Sequence, residues 1–192
     1  SVEDNFGAYL KNYATNFGLI NIGLLDLSGN IKFSLRDDLF NHESEILTIN
    51  AAKSNGLRVV KTVTDSEVLF TVAGKIKYLD NEYIIVLQKL VSDNLYLEKI
   101  AIETGTTITL FKDDLRIGSS NKDDSGRFLT GTKFQNSEVL NVVYNQGEKF
   151  IGEVDVRGRD FLAYYRPYKT DNNHEKLMFF IGIDVNHINE VA

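Results

Sequence analysis

Two hydrophobic periods alternate along the chain. Ile31, Phe33 and Leu35 are apolar while Lys32 and Ser34 between them are polar, the period-two signature of a strand with one buried face. Val154 and Val156 repeat the pattern against Glu153 and Asp155. Tyr83–Leu90 and Leu177–Ile183 are apolar almost throughout. A strand apolar on both faces belongs in the centre of a sheet covered on each side. Elsewhere the period is helical. Phe6, Tyr9, Leu10, Tyr13 and Phe17 fall at helical spacing and end at Gly18, which predicts a helix over 1–17. A second helix is predicted from Ser92 to Glu103, capped by Ser92 or Asp93 and stopped at Gly105. A third, short helix carries Val139, Leu140, Val143 and Tyr144 on one stripe and stops at Gly147.

These elements occur twice in the same order. Ser44-Glu45-Ile46-Leu47 is answered by Ser137-Glu138-Val139-Leu140, Gly56 by Gly147, and Asp80-Asn81 by Asp171-Asn172, displaced by 91 to 93 residues. Tyr83–Leu87 is matched by Leu177–Ile181 at a displacement of 94, and the turn at Ser28-Gly29-Asn30 by one at Asp113-Asp114. Ordered matches at nearly one displacement mark a duplication. The first copy reads as the strand pair Ile22–Leu35, the Ser44 helix, a turn at Asp65-Ser66 before Val68–Gly74, and Tyr83–Leu90. The second reads as Thr107–Gly118, the Ser137 helix, a turn at Arg157-Gly158-Arg159 before Phe161–Tyr168, and Leu177–Ile183. The predicted fold is α+β: two tandem units, each a five-stranded antiparallel sheet with helices, joined by a helix and preceded by a long N-terminal one. The boundaries are an N-terminal helix at 1–18, a first unit at 19–91, a connecting helix at 92–105, a second unit at 106–187, and the start of a further helix at 188–192.

Composition narrows the function classes. The 192 residues are 43% hydrophobic and 25% charged, a globular balance. A net charge of −6 with no basic run disfavours a nucleic-acid surface. The absence of cysteine excludes disulfides and thiolate chemistry. No apolar run reaches the length of a membrane span, and a start at Ser1 without a signal peptide fits a cytosolic protein or an excised soluble domain. The nucleophile-elbow, zinc-protease, phosphate-loop and dinucleotide motifs are missing, and His42, His174 and His187 are scattered. No catalytic residue, metal or cofactor is therefore expected. Asn121–Gly126 offers oxygen groups at positions one, three and five and glycine at six, as a calcium loop does, but Thr132 stands where the closing glutamate belongs. The expectation there is a solvated loop.

The order of elements, with the stretches Leu110-Phe111-Lys112-Asp113-Asp114-Leu115-Arg116-Ile117, Gly131-Thr132, Gly147–Gly152, Phe161–Tyr168 with its A-Y-Y-R-P-Y run, and Phe180-Ile181-Gly182-Ile183, resembles the double Cache module. These are PAS-like extracytoplasmic sensor domains of bacterial chemoreceptors and sensor histidine kinases. The likeness spans nearly the whole chain, by motif in the second copy and by pattern in the first, which lacks the proline and closing glycine. The chain has no tryptophan, so the R-x-W-Y signature of amino-acid-binding members is absent and an amino-acid ligand is not implied.

The resemblance implies a ligand pocket between each sheet and its helical cover. In the second copy the polar candidates are Arg116, Tyr144, Tyr164, Arg166 and Tyr168; the last three share a strand face by parity. An arginine fork flanked by tyrosine hydroxyls suits a carboxylate or phosphate. The alternative is a solvent-facing Arg166 among packing tyrosines. In the first copy the candidates are Thr71 and Lys75, with Arg58 beside them. The family favours the first, membrane-distal unit as the ligand binder, whereas the residues favour the second. The implied function is small-molecule sensing by the periplasmic part of a membrane-anchored homodimeric receptor, without catalysis or nucleic-acid binding. The alternative is a dimerisation or protein-interaction module with no small-molecule ligand.

Overall fold

Two five-stranded antiparallel sheets carry the alternating strands. The computed structural model describes residues 2–36, 50, 58–63, 67–78, 80–168 and 176–186, and divides the chain into two compact units. One comprises Ser1–Thr62 with Val68–Leu90; the other comprises Val63–Glu67 with Val91–Ala192. The helix expected at Ser44, the turn at Asp65-Ser66 and the tail from 187 lie outside the described residues.

In the first unit β1 (Asn21–Asp26), β2 (Ile31–Ser34), β3 (Arg58–Val63), β4 (Val68–Tyr78) and β5 (Asn81–Leu90) form a sheet of order β2-β1-β5-β4-β3. The continuous apolar run is the central strand, as its two-faced hydrophobicity requires. On the outer face, α1 (Val2–Phe17) lays Leu10 and Ala14 against Ile22, Phe33, Ile85 and Leu87. The helix sits close because Gly7 lies on the same stripe; a Cβ there would fall 2.9 Å from the Phe33 ring. Packing by small residues corrects the expected apolar stripe. Tyr9, Tyr13 and Phe17 point outward, and the side chain of Phe6 lies outside the described residues. Lys89 Nζ donates to the carbonyls of Phe17 and Gly18 at 3.1 and 3.3 Å, where a cation favours the negative end of a helix.

The inner face of this sheet joins Leu25, Ala73, Ile84 and Val86 to a buried polar row. Asn21 pairs across the sheet with Gln88, and Gln88 with Thr71. Asn21 Nδ2 donates to Gln88 Oε1 at 2.8 Å, and Gln88 Nε2 donates to Thr71 Oγ1 at 3.3 Å. Asn21 Oδ1 accepts from Ser34 Oγ and from the N–H groups of Leu35 and Arg36. Buried polar atoms need such partners, and here they also fix the exit of β2.

The second unit opens with α2 (Asn94–Thr104). Asp93 caps it by accepting from Leu95 N–H at 2.8 Å, and Gly105 closes it at φ 65°, a left-handed cap that suits glycine. β6 (Thr107–Lys112), β7 (Leu115–Ser119), β8 (Phe150–Asp155), β9 (Asp160–Tyr168) and β10 (Leu177–Asp184) follow, in the order β7-β6-β10-β9-β8. This repeats the order of the first sheet. Leu97 and Ala101 of α2 pack on Ile108 and Phe179 of the outer face. Across the inner face runs α3 (Ser137–Leu140), capped by Asn136 and continuing as one π-helical turn, Asn141–Asn145. Its Val139 and Val143 are buried against Phe111, Phe134, Phe161, Tyr165, Met178 and Phe180.

The loop tested as a calcium site closes on itself. Asp123 accepts from Ser125 N–H and Oγ and from Arg127 N–H, and it pairs with the Arg127 guanidinium at 3.1 Å.

Candidate functional site

The inner face of the second sheet gathers chemistry among its rings. Arg116 enters from β7, opposite Phe111, and lays its guanidinium over Phe111 and Phe134, 5.4 and 5.6 Å from their centroids. One nitrogen, Nη1, donates to Thr132 Oγ1 at 3.0 Å and to the carbonyl of Lys133 at 2.9 Å. Among the described residues no carboxylate pairs with it; the adjacent Asp114 is taken by Lys133 at 2.9 Å. Burial pulls the proton affinity of Arg116 below its ordinary value; the nearby Tyr165 opposes this and the charge of Arg157 adds to it. Among the described residues neither Nε nor Nη2 has a hydrogen-bond acceptor.

Tyr144 projects from the π-helical turn, and its hydroxyl donates to the Asp113 carbonyl at 2.7 Å. That bond ties the helical cover to the β6–β7 turn. Burial raises its pKa, and the carboxylates of Asp113 and Asp114 add to the rise. The tyrosine therefore stays a neutral donor at physiological pH.

One pocket does not hold all five candidates of this unit. Tyr164 pairs with Ile181, Arg166 with Phe179 and Tyr168 with Leu177. Directly opposed residues share a face, and Phe179 packs under α2. Those three side chains do share a face, but it is the outer one, and Arg166 is exposed there. The inner phase of β9 is Phe161, Ala163 and Tyr165. Tyr165, which sequence parity passed over, is 1% exposed and stacks with Phe134 and Phe180 at centroid distances of 5.4 and 4.7 Å. Burial raises its pKa, and the positive charge of Arg116 works against that rise. The signal that could have found it is the alternation Phe161-Ala163-Tyr165, in phase with Met178 and Phe180.

In the first unit Thr71 is buried in the polar row, and Lys75 sits on the same face further along β4, exposed and paired with Glu82 at 3.0 Å. The side chain of Arg58 lies outside the described residues.

A family model described as single Cache domain 3 matches residues 88–192. No curated protein matches the chain. Among solved structures, the sensory domain of the Campylobacter jejuni chemoreceptor Tlp3 (CcmL) is similar over 98% of this chain and 76% of its own, with a TM-score of 0.50 at 17% identity. The Tlp3 ligand-binding domain in complex with L-norvaline gives 0.51 at 18% identity, covering 98% and 74%. The E. coli DcuS sensor domain gives 0.41 at 15% identity, covering 50% of this chain and 69% of its own. At these identities the Tlp3 likeness is one of fold. Among the described residues no helix is long and apolar enough to cross a membrane.

Proposed function

The chain belongs to the single Cache domain 3 family, and on that premise we propose that it is the extracytoplasmic sensing part of a bacterial transmembrane receptor, a chemoreceptor or sensor histidine kinase. It performs no catalysis of its own. Residues 19–91 and 106–187 are tandem Cache units, distal and proximal to the membrane, joined by the helix at 92–105. The ligand is a small carboxylate held on the inner face of the second unit by Arg116, with Tyr165 and Tyr144 beside it. Tyr164, Arg166 and Tyr168, on the outer face, and Thr71 and Lys75, in the first unit, have supporting parts at most.

One observation carries this reading: a half-buried guanidinium with two nitrogens to spare and no carboxylate partner among the described residues. A desolvated cation without a counter-charge is costly, and an anion in bidentate contact relieves that cost. An anion that drew Arg116 and the β6–β7 turn together would shift β10, which pairs with β6, and relay the change to the membrane through the terminal helices. Such a relay needs a two-state element biased by differential binding. The test is a thermal-shift screen of small mono- and dicarboxylates against the wild-type chain and Arg116→Gln. A carboxylate at a hundred times its Kd stabilises by about 2.7 kcal/mol, and the variant is expected to lose the shift. Equal shifts in both proteins sink the assignment of Arg116.

A second reading is favoured by the outward ridge of Tyr9, Tyr13 and Phe17 on α1, which are 63%, 38% and 58% exposed. It is a homodimerisation module, and dimers with no carboxylate response support it.

A further inference from the structure

A cleft of about 610 Å³ opens in the second unit at the end of the sheet away from the Asp113 turn, where Thr107 begins β6 and Asp184 ends β10. Its size falls within the usual range for small-molecule sites. It is walled by the end of α2, the loop after β7 and the β8–β9 turn. Arg116, Tyr144 and Tyr165 do not line it, whereas Leu129 and Val156 of the inner-face cluster do, so it adjoins the inner-face site without using that site's polar groups.

The β8–β9 turn is built against its own sequence. Val156 N–H donates to the Arg159 carbonyl at 2.8 Å and Arg159 N–H to the Val156 carbonyl at 3.3 Å, leaving Arg157 and Gly158 as a two-residue turn. Both have positive φ, 56° and 78°. Hairpin turns of this hand favour Asn-Gly, because at positive φ the Cβ crowds the following carbonyl and Asn offsets this with a local hydrogen bond that arginine does not supply. An arginine held there at the lip of a cleft is an outlier whose side chain asks for a purpose.

The charges of the cleft supply one. Its walls hold three cations, Lys122, Arg157 and Arg159, and four anions, Glu98, Asp123, Asp124 and Asp184. Lys122 is bound to Glu98 at 2.5 Å, and Asp123 to Arg127. That leaves Arg157 and Arg159 lining the cleft with Asp124 and Asp184, and among the described residues no ion pair joins any of these four; Arg159 lies over the Phe161 ring at 5.5 Å, and Asp184 accepts from Asn186 N–H at 2.9 Å. A purely anionic ligand would meet the aspartates, and a purely cationic one the arginines. A dipolar molecule satisfies both.

We propose that this cleft binds a small zwitterion, its carboxylate held by Arg157 and Arg159 and its ammonium by Asp184 and Asp124. Because Asp184 ends β10, the ligand would bridge the β8–β9 turn to the end of the central strand, a second place at which the unit could be biased.

The probe is γ-aminobutyrate, titrated calorimetrically into the full chain carrying Arg116→Gln, in which the inner-face carboxylate site is disabled, with butyrate and butylamine as its two halves. The dipolar probe is expected to bind at least about tenfold more tightly than either half. Arg157→Asn restores the preferred Asn-Gly turn, so its melting temperature stays level or rises while affinity falls at least about tenfold. Asp184→Asn removes the advantage over butyrate. The proposal is overturned if none of the three probes binds the Arg116→Gln chain, if butyrate binds it as tightly as γ-aminobutyrate, or if adding Arg157→Asn leaves the affinity unchanged.

Discussion

The inner faces of the two sheets share a strand order and differ in what fills them. Where the first sheet sets Asn21, Gln88 and Thr71 side by side, the same register in the second sets Thr107, Gly182 and Ala163. Ala73 of the first corresponds to Tyr165, and Val86 to Phe180. The first face is a polar row beside small aliphatic groups. The second is a block of rings around an arginine. Glycine at 182 makes that block possible: it leaves room for Phe161 and Phe180 to meet edge to face, 6.4 Å between centroids. One topology thus supports two floors, and the chemistry of each follows from a few cross-strand positions.

The comparison breaks most readily at Tyr165. Tyr165→Ala, copying Ala73, removes a ring packed on Phe111, Phe134, Phe150 and Phe180, and the expected cost is about 4 kcal/mol. It is measured by calorimetry, with the loss confined to the second unit's transition, since two units need not unfold as one. A cost below about 1 kcal/mol would show that the aromatic block is not the core of this unit.

Gly182→Gln copies Gln88 in the other direction. A Cβ there would meet Phe180 Cζ at 2.5 Å and Phe161 Cδ1 at 3.2 Å, so overpacking is expected to cost about 3 kcal/mol. Gln88→Leu tests the first floor. It strips Asn21 Nδ2 of its buried acceptor, for an expected loss of about 2 kcal/mol by denaturant titration, all in the first unit.

The smallest expected effect lies in the acid limb. Each unit has a loop closed on one aspartate: Asp26, accepting from Ser28, Asn30 and Lys32, and Asp123. Bonds from Ser125 and Arg127 hold the Asp123 carboxyl at about 2, and bonds from Asn30, with Lys32 adding to them, hold that of Asp26 lower still. Both folded values are depressed. The stability they contribute is complete above the ordinary carboxylate value near ~4 and is lost as pH falls through the folded ones. Melting temperatures between neutral pH and pH of about 2 should fall less steeply in Asp123→Asn, and modestly, because both carboxylates lie in surface loops partly open to solvent screening.

The sequence made the strands legible because their apolar periods are clean. Tyr83–Leu90 and Leu177–Ile183 read as central strands and are central. Asp93 and Gly105 announced the ends of α2. Arg116 and Tyr144 were legible as polar groups of the second unit; Arg116 lies on the inner face and Tyr144 on the cover itself. Tyr165 was not, since Phe161–Tyr165 is apolar in both phases and parity alone cannot choose the inner one. α1 misled for a related reason: its contact face is Gly7, Leu10 and Ala14, and small residues carry little hydrophobic signal. Arg157 read only as a turn, because its strain lies in a φ value that composition does not display.

The carboxylate site proposed for this chain lies on the inner face of the second unit, around Arg116. The most direct measurement is amide chemical-shift mapping of the labelled chain during titration with whichever carboxylate gives the largest thermal shift. The account predicts saturable shifts at Arg116 and Thr132–Phe134, absent in Arg116→Gln. Shifts confined to Asn21, Thr71 and Gln88 would contradict it and move the site to the first unit.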